Sequence, residues 1–216
     1  MAKKEILTSK LLKVISGGQT GVDRGALDAA LALQVECGGW CPAGRLAEDG
    51  TIPERYPVME LAYAGYAERT ARNVADSDGT LVISKGEPIG GTRETVDRCI
   101  EMGKPYLLID SERCSMEEAA ALAVQFVRGL SSRAQARDLT QHDNATGRSR
   151  GSSVRAGLAL SARLGMTTIL NVAGPRASQW PEGHKTARQI VSGILRRLVD
   201  RTTQLNTVRD SPCGDP

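Results

Sequence analysis

Two short stretches of this chain place glycine beside small hydrogen-bond donors, a combination suited to holding an anion. Gly17, Gly18, Gln19, Thr20 and Gly21 precede Asp23, and Gly90, Gly91 and Thr92 precede Arg93, Glu94 and Asp97. Glycine lets the backbone turn tightly and leaves its N–H groups uncovered by a Cβ. Where such a turn opens a helix, the free amides and the positive helix end favour a phosphate-like group. Thr20 and Thr92 add hydroxyl donors, and Arg93 adds a charge. A third stretch, Gly174-Pro175-Arg176, offers another glycine turn with a cation beside it. The same glycines would serve an ordinary strand-to-helix turn. Two of these loops at one sheet edge favour a ligand with an anionic group. Asp23 reads either as a carboxylate stabilised by a helix N-terminus or as an acceptor for a ligand hydroxyl or ring nitrogen.

Other chemistries are poorly supplied. Gly17-Gly18-x-x-Gly21 is not GxGxxG, and the absence of GxxxxGK[ST] excludes ATP hydrolysis of the P-loop kind. His142 and His184 show no positioned partner, so no Ser/His/Asp triad is supported. Cys37 and Cys41 are spaced like half a zinc site, but nothing supplies the other ligands, so no structural zinc is expected. Trp40, Cys41 and Pro42 open a loop holding Arg45, Glu48 and Asp49. This loop reads as a lid or recognition loop, or as a set of solvated ion pairs.

The elements that must position these groups follow from the apolar pattern. Residues 11–15 read as a short strand and 22–33 as a helix, with apolar residues recurring at helical spacing. A second strand is expected at 35–40, then a long irregular stretch marked by Pro42, Gly44, Gly50, Pro53 and Pro57. Beyond it come a brief strand at 58–61, a helix at 63–75, a buried strand at 79–84, a helix at 92–102 and a strand at 106–109. Residues 119–130 repeat at three and four, as an amphipathic helix does. The segment 131–153 is polar and reads as a mobile insertion. A helix at 155–164, a strand at 167–172 and a helix at 185–198 complete the rhythm. Alternating strands and helices predict an α/β fold with a mostly parallel sheet. We expect one domain over 11–198, with loose ends at 1–10 and 199–216. Ligands in such sheets bind beyond the carboxyl ends of the strands, where strand order reverses. The loops 16–23, 85–93 and 173–178 all leave strands at that edge.

Composition narrows the field further. The chain has 216 residues, a net charge of +3, one Phe, two Trp and four Tyr, too little charge and too few aromatics for a nucleic-acid surface. No apolar run reaches the roughly 18–20 residues of a membrane span, and no apolar signal core follows the N-terminal lysines. Five cysteines without a paired pattern fit reduced thiols, and so a cytoplasmic location.

The segments ISGGQTGVDRGALDAAL, CGGWCPAGRLAEDGTIPERYP, RTARNVADSDGTLVI, GGTRETVD, GKPYLLID and LNVAGPR together resemble the molybdenum cofactor carrier protein-like family. That family lies within the lysine-decarboxylase-like, or LOG-type, Rossmann-like group. The resemblance covers 11–130 and 165–198. It implies a three-layer Rossmann-like fold and a carrier that binds molybdenum cofactor, a phosphorylated pterin, or a related nucleotide-like ligand. Molybdoenzymes would then be the recipients, and the protein a homodimer or homotetramer. By the same resemblance, ligand-binding residues would be Gly17, Gly18, Gln19, Thr20, Gly21, Asp23, Trp40, Arg45, Gly90, Gly91, Thr92, Gly174 and Arg176. LOG-type enzymes instead cleave the N-glycosidic bond of nucleoside monophosphates with an acid three residues after the threonine of PGGxGTxxE. Thr92 is followed at that distance by Thr95. Glu94 and Asp97 are displaced by one and two residues, about 100° and 200° around a helix. Glu94, Asp97 and Arg93 are the candidates if the protein is an enzyme. A ligand-sensing scaffold using 131–153 as a contact segment is a third possibility.

Overall fold

The computed structural model describes residues 12–146 and 167–207. Five strands form one parallel sheet: β1 (Leu12–Ile15), β2 (Cys37–Gly38), β7 (Gly79–Ser84), β8 (Tyr106–Asp110) and β9 (Thr168–Ala173), in the order β2-β1-β9-β7-β8. Between β2 and β7 lie four two-residue strands. β3 (Trp40–Cys41) pairs in parallel with β6 (Met59–Glu60), and β4 (Leu46–Ala47) forms an antiparallel hairpin with β5 (Gly50–Thr51). The helices are α1 (Val22–Ala32), α2 (Tyr66–Asp76), α3 (Gly90–Glu101), α4 (Met116–Thr146) and α5 (Gly183–Thr207).

Every residue of β7 is buried, as expected for the run GTLVIS in a sheet covered on both faces. Connections running towards β2 use α1 and α4, and those running towards β8 use α2 and α3. A single crossover handedness then sends the two groups to opposite faces, and α5 packs against α1 and α4. The result is a three-layer Rossmann-like fold. Its main core joins Val14, Leu81, Ile83, Leu170 and Val172 of the sheet to Ala26 and Ala29 of α1 and Ile190, Ile194 and Leu195 of α5. Gly25 lets α1 and α5 approach closely, because a Cβ there would lie 2.3 Å from the His184 carbonyl oxygen.

The order of the five strands along the chain is 2-1-5-3-4. A doubly wound sheet conventionally runs 3-2-1-4-5. Moving the first strand of that arrangement to the end of the chain converts one order into the other. β9, the last strand here, therefore takes the central place of an opening strand. It pairs with β1 from Leu12↔Thr168 to Ile15↔Asn171, and with β7 from Gly79↔Leu170 to Val82↔Ala173. The switch point lies between β9 and β7.

Local differences from the sequence reading have simple causes. The helix expected to end near 130 continues to Thr146 as part of α4, because Ala, Arg and Gln between 131 and 146 favour helix even without an apolar stripe. The rest of the expected insertion, 147–153, and the helix expected at 155–164 lie outside the described residues. So does the N-terminal stretch 1–10. The last helix likewise continues past 198 to Thr207, leaving 208–216 outside the description.

Candidate functional site

The loops after β1, β7 and β9 converge, as the strand polarity requires, and the N-terminal turns of α2 face them. Between them is an open, largely polar cleft. Its lining comprises Gln19 and Asp23 from the first loop, Tyr66, Arg69 and Thr70 from α2, Gly91, Thr92, Glu94 and Thr95 from α3, and Ala173, Gly174, Arg176 and Gln179 from the last loop.

The first and last loops interlock. Gly21 has φ +77°, and a Cβ there would sit 2.5 Å from the Pro175 carbonyl oxygen. That oxygen accepts the Val22 N–H at 3.3 Å. Gly174 lies against β7, where a Cβ would be 2.3 Å from the Ile83 carbonyl oxygen. Of the amides before α1, those of Gln19 and Thr20 are used within the protein, whereas those of Gly17, Gly18 and Gly21 make no hydrogen bond among the described residues. Gln19 N–H donates to Asp23 Oδ2 at 3.3 Å, and Thr20 N–H donates to Gln19 Oε1 at 3.2 Å. Gly17 is roofed by Arg69, whose Nη1 occupies the space a Cβ would need.

The loop before α3 is less crowded. Thr92 and Arg93 N–H groups return to the Ile89 carbonyl oxygen at 3.2 and 3.3 Å. The Gly90 and Gly91 N–H groups make no hydrogen bond among the described residues. A Cβ at Gly91 would meet nothing within 4 Å. Two free amides at the start of a 12-residue helix thus sit at the edge of the cleft.

Charge in the cleft is set by two guanidinium groups and two carboxylates. Arg69 Nη1 lies 3.4 Å from Asp23 Oδ2, with the Asp23 side chain only 4% exposed. Burial pushes the Asp23 carboxyl above its ordinary 3.8, although Arg69, the Gln19 amide and Ser16 pull the other way. Arg69 Nε is buried without a hydrogen-bond partner. Arg176 lies 5.8 Å above the Tyr66 ring and 3.9 Å from Glu48 Oε2. Glu94 faces the cleft and is 3.8 Å from Arg98 Nη2.

The structure brings Gln19, Asp23, Gly91, Thr92, Glu94, Gly174 and Arg176 together, with Gly17, Gly18, Thr20, Gly21 and Gly90 in the backbone around them. It does not bring in four others. Arg93 and Asp97 pair with one another on the exposed side of α3, at 2.9 Å. Trp40 donates through Nε1 to Asp76 at 2.8 Å and stacks under Arg72 on the outside of α2. Arg45 donates to the carbonyl oxygens of Ile52, Pro53, Tyr56 and Val58, closing the 50–58 loop around a second small core of Leu27, Cys41, Ile52, Tyr56 and Val58. His184, apparently unpartnered in the sequence, meets Asp28 Oδ2 at 2.8 Å.

Sequence reasoning missed Tyr66, Arg69, Thr70 and Gln179. One signal was available. α2 buries Thr70 and Asn73 with only one apolar residue, Val74. A helix whose inward face is polar covers something other than a hydrophobic core.

The profile of the circularly permutated YpsA SLOG family matches residues 14–137. The chain belongs to this SLOG family. The strand order is that of a permuted doubly wound sheet, with the central strand β9 last along the chain. A crystal structure of a "Putative molybdenum carrier protein" from Syntrophus aciditrophicus is similar to this SLOG protein. It shares 36% sequence identity, covers 86% of this chain and 95% of its own, and superposes with a TM-score of 0.64. No curated protein matches the chain. Among the described residues, no three His, Cys, Asp or Glu side chains converge as metal ligands, and no helix is long and apolar enough to cross a membrane.

Proposed function

We propose that this SLOG protein is a carrier that holds a small phosphorylated ligand, molybdenum cofactor or a related pterin or nucleotide, in the cleft at the switch point. The observation that carries the reading is the pair of unpartnered amides at Gly90 and Gly91, in a cleft that also holds Arg69 and Arg176. The phosphate would lie against those amides, where the α3 helix end favours negative charge. Arg69 would supply a charge-assisted hydrogen bond, and Arg176 a second positive charge in the cleft. The name of the Syntrophus relative supports the carrier role, and molybdoenzymes would be the recipients.

Calorimetry of the full chain at fixed salt, with molybdenum cofactor and with AMP as a simpler probe, tests this. Saturable one-site binding that weakens in Arg69→Met is the expected result. Absence of binding to both ligands would end the reading.

One observation favours a second reading. Glu94 faces the cleft, so a carboxylate does stand near the proposed phosphate site. As a nucleoside monophosphate N-glycosidase, the protein would use Glu94 as its acid. Base release from AMP, abolished in Glu94→Gln, would establish it over the carrier role.

A further inference from the structure

Glu48 stands at the tip of the β4–β5 hairpin, and its carboxylate is surrounded by donors from the two interlocked loops. The Ser178 N–H donates to Glu48 Oε1 at 3.1 Å, and the Ser178 hydroxyl to Oε2 at 2.5 Å. The Thr20 hydroxyl donates to Oε1. The Arg176 guanidinium lies 3.9 Å from Oε2. Such a set resembles the coordination of a phosphate or carboxylate ligand, yet here the chain itself provides the anion. The Glu48 side chain is 17% exposed, whereas its hairpin is exposed at Leu46, Gly50 and Thr51. The tip is further tied by the Glu48 N–H to Gln19 Oε1 at 2.9 Å and by Asp49 to Arg24 at 2.6 and 2.8 Å. Gln19 and Arg176 also line the cleft, so the cradle and the cleft adjoin.

We propose that Thr20, Ser178 and Arg176 form a second anion subsite, and that Glu48 is its built-in competitor. The subsite takes a second anionic group of the ligand, such as a further phosphate, once the hairpin tip withdraws. This rests on the cleft being the ligand site. A closed hairpin lowers the apparent affinity for a two-phosphate ligand in proportion to the fraction of molecules that are open. A one-phosphate ligand bound only at Gly90 and Gly91 is not taxed in this way.

The test compares AMP and ADP binding to the wild-type chain and to Glu48→Gln by calorimetry at fixed salt and pH. In the variant, the preference for ADP over AMP should rise about tenfold, the factor for a tip closed nine-tenths of the time. Hydrogen exchange in the wild-type chain gives a second measurement that does not depend on the variant folding. Saturating ADP should speed exchange at the Glu48 amide, whose bond to Gln19 breaks as the tip withdraws, and AMP should not. An unchanged ADP-to-AMP ratio in Glu48→Gln, with AMP still bound, overturns the second subsite alone. So does unchanged amide exchange under ADP. Failure of wild type and variant to bind either nucleotide overturns this subsite, and the cleft reading beneath it falls as well if molybdenum cofactor also fails to bind.

Discussion

The two glycine loops that open α1 and α3 look alike in sequence and behave differently in the folded protein. In the first, Gln19 and Thr20 amides are taken by Asp23 and Gln19 side chains, and Gly17 lies beneath Arg69. In the second, Gly90 and Gly91 amides have no partner among the described residues. Glycine in the first loop serves close packing: Gly21 admits the Pro175 carbonyl, as Gly174 in the last loop admits that of Ile83. Glycine in the second leaves open space. A doublet of glycines therefore does not by itself distinguish a loop that is filled by its own protein from one available to a ligand. What distinguishes them is whether neighbouring groups already fill the space over the glycines, as Arg69, Ile52 and the Pro175 carbonyl do in the first loop and nothing does at Gly91.

The sharpest way to break the contrast is to add one methyl group to each loop. Gly21→Ala would put a Cβ 2.5 Å from a backbone oxygen at φ +77°. Neither backbone can yield without separating the first and last loops, so we expect a loss of about 3 kcal/mol or more in denaturant unfolding. Gly91→Ala meets nothing within 4 Å and should change stability by less than about 0.5 kcal/mol. Equal losses in the two variants would show that the second loop is as tightly packed as the first.

The next effect separates the loops by charge. Arg69 covers the first loop and lines the cleft. Removing one charged hydrogen-bond donor to a phosphate costs roughly 1.5–3 kcal/mol, so Arg69→Met should weaken AMP binding about 10- to 100-fold. Arg69→Lys should recover only part of this, since an ammonium lacks the planar fork. Affinity within a factor of two of wild type in Arg69→Met would place the phosphate away from Arg69.

Much of this arrangement was legible in the sequence because it is local. The run GTLVIS, the glycine turns and the amphipathic spacing of 185–198 each report their own element. Together they placed the three loops at one sheet edge. The strand order was not legible. It depends on β9 entering between β1 and β7, in pairings such as Leu12↔Thr168 and Gly79↔Leu170, and periodicity within each strand is the same whichever neighbour it finds. Nor could the sequence foretell that Gln19 and Asp23 would cap their own loop, or that Glu48 would reach Ser178 across 130 positions. Arg45 shows the limit from the other side. Its position in a long polar loop suggested ligand charge, and four backbone carbonyls of the same loop claim it.

The buried acid of the first loop gives a pH signature. Burial raises the Asp23 carboxyl above 3.8 in the folded protein. The folded state thus holds this proton more tightly than the unfolded chain, and stability falls as pH rises from 3.8 through the raised value. Asp23→Asn removes the effect. Denaturant unfolding should show wild type losing ground to the variant as pH climbs through that window, and keeping a constant deficit above it. Glu48 has the opposite sign. Burial pushes its carboxyl up, but hydrogen bonds from Ser178 and Thr20 and the Arg176 charge hold it below 4.5 overall. Its contribution is full above 4.5 and disappears as pH falls through the lower folded value. Glu48→Gln should therefore flatten the acid limb of the stability curve, whereas Asp23→Asn should change the limb above it. An identical pH profile for wild type and Asp23→Asn would mean that Asp23 is not held as a costly carboxylate.

The smallest expected effect tests how far the open character of the second loop extends along α3. Arg93 and Asp97 pair across one turn on the solvent side, with side chains 57% and 45% exposed. Pairs of this kind contribute about 0.3–0.5 kcal/mol. Asp97→Ala should cost no more than that in unfolding and leave AMP affinity within about twofold. Glu94 is three residues earlier on the same helix, yet it faces the cleft. Its removal should alter AMP binding because a carboxylate beside a bound phosphate is repulsive, so Glu94→Gln should tighten AMP a few-fold. A tenfold loss of affinity in Asp97→Ala would put the exposed side of α3 into the ligand site. Loss of affinity in Glu94→Gln would instead assign that carboxylate an acceptor role towards the ligand, and would move the weight of the second glycine loop from binding an anion alone to orienting the rest of the molecule beside it.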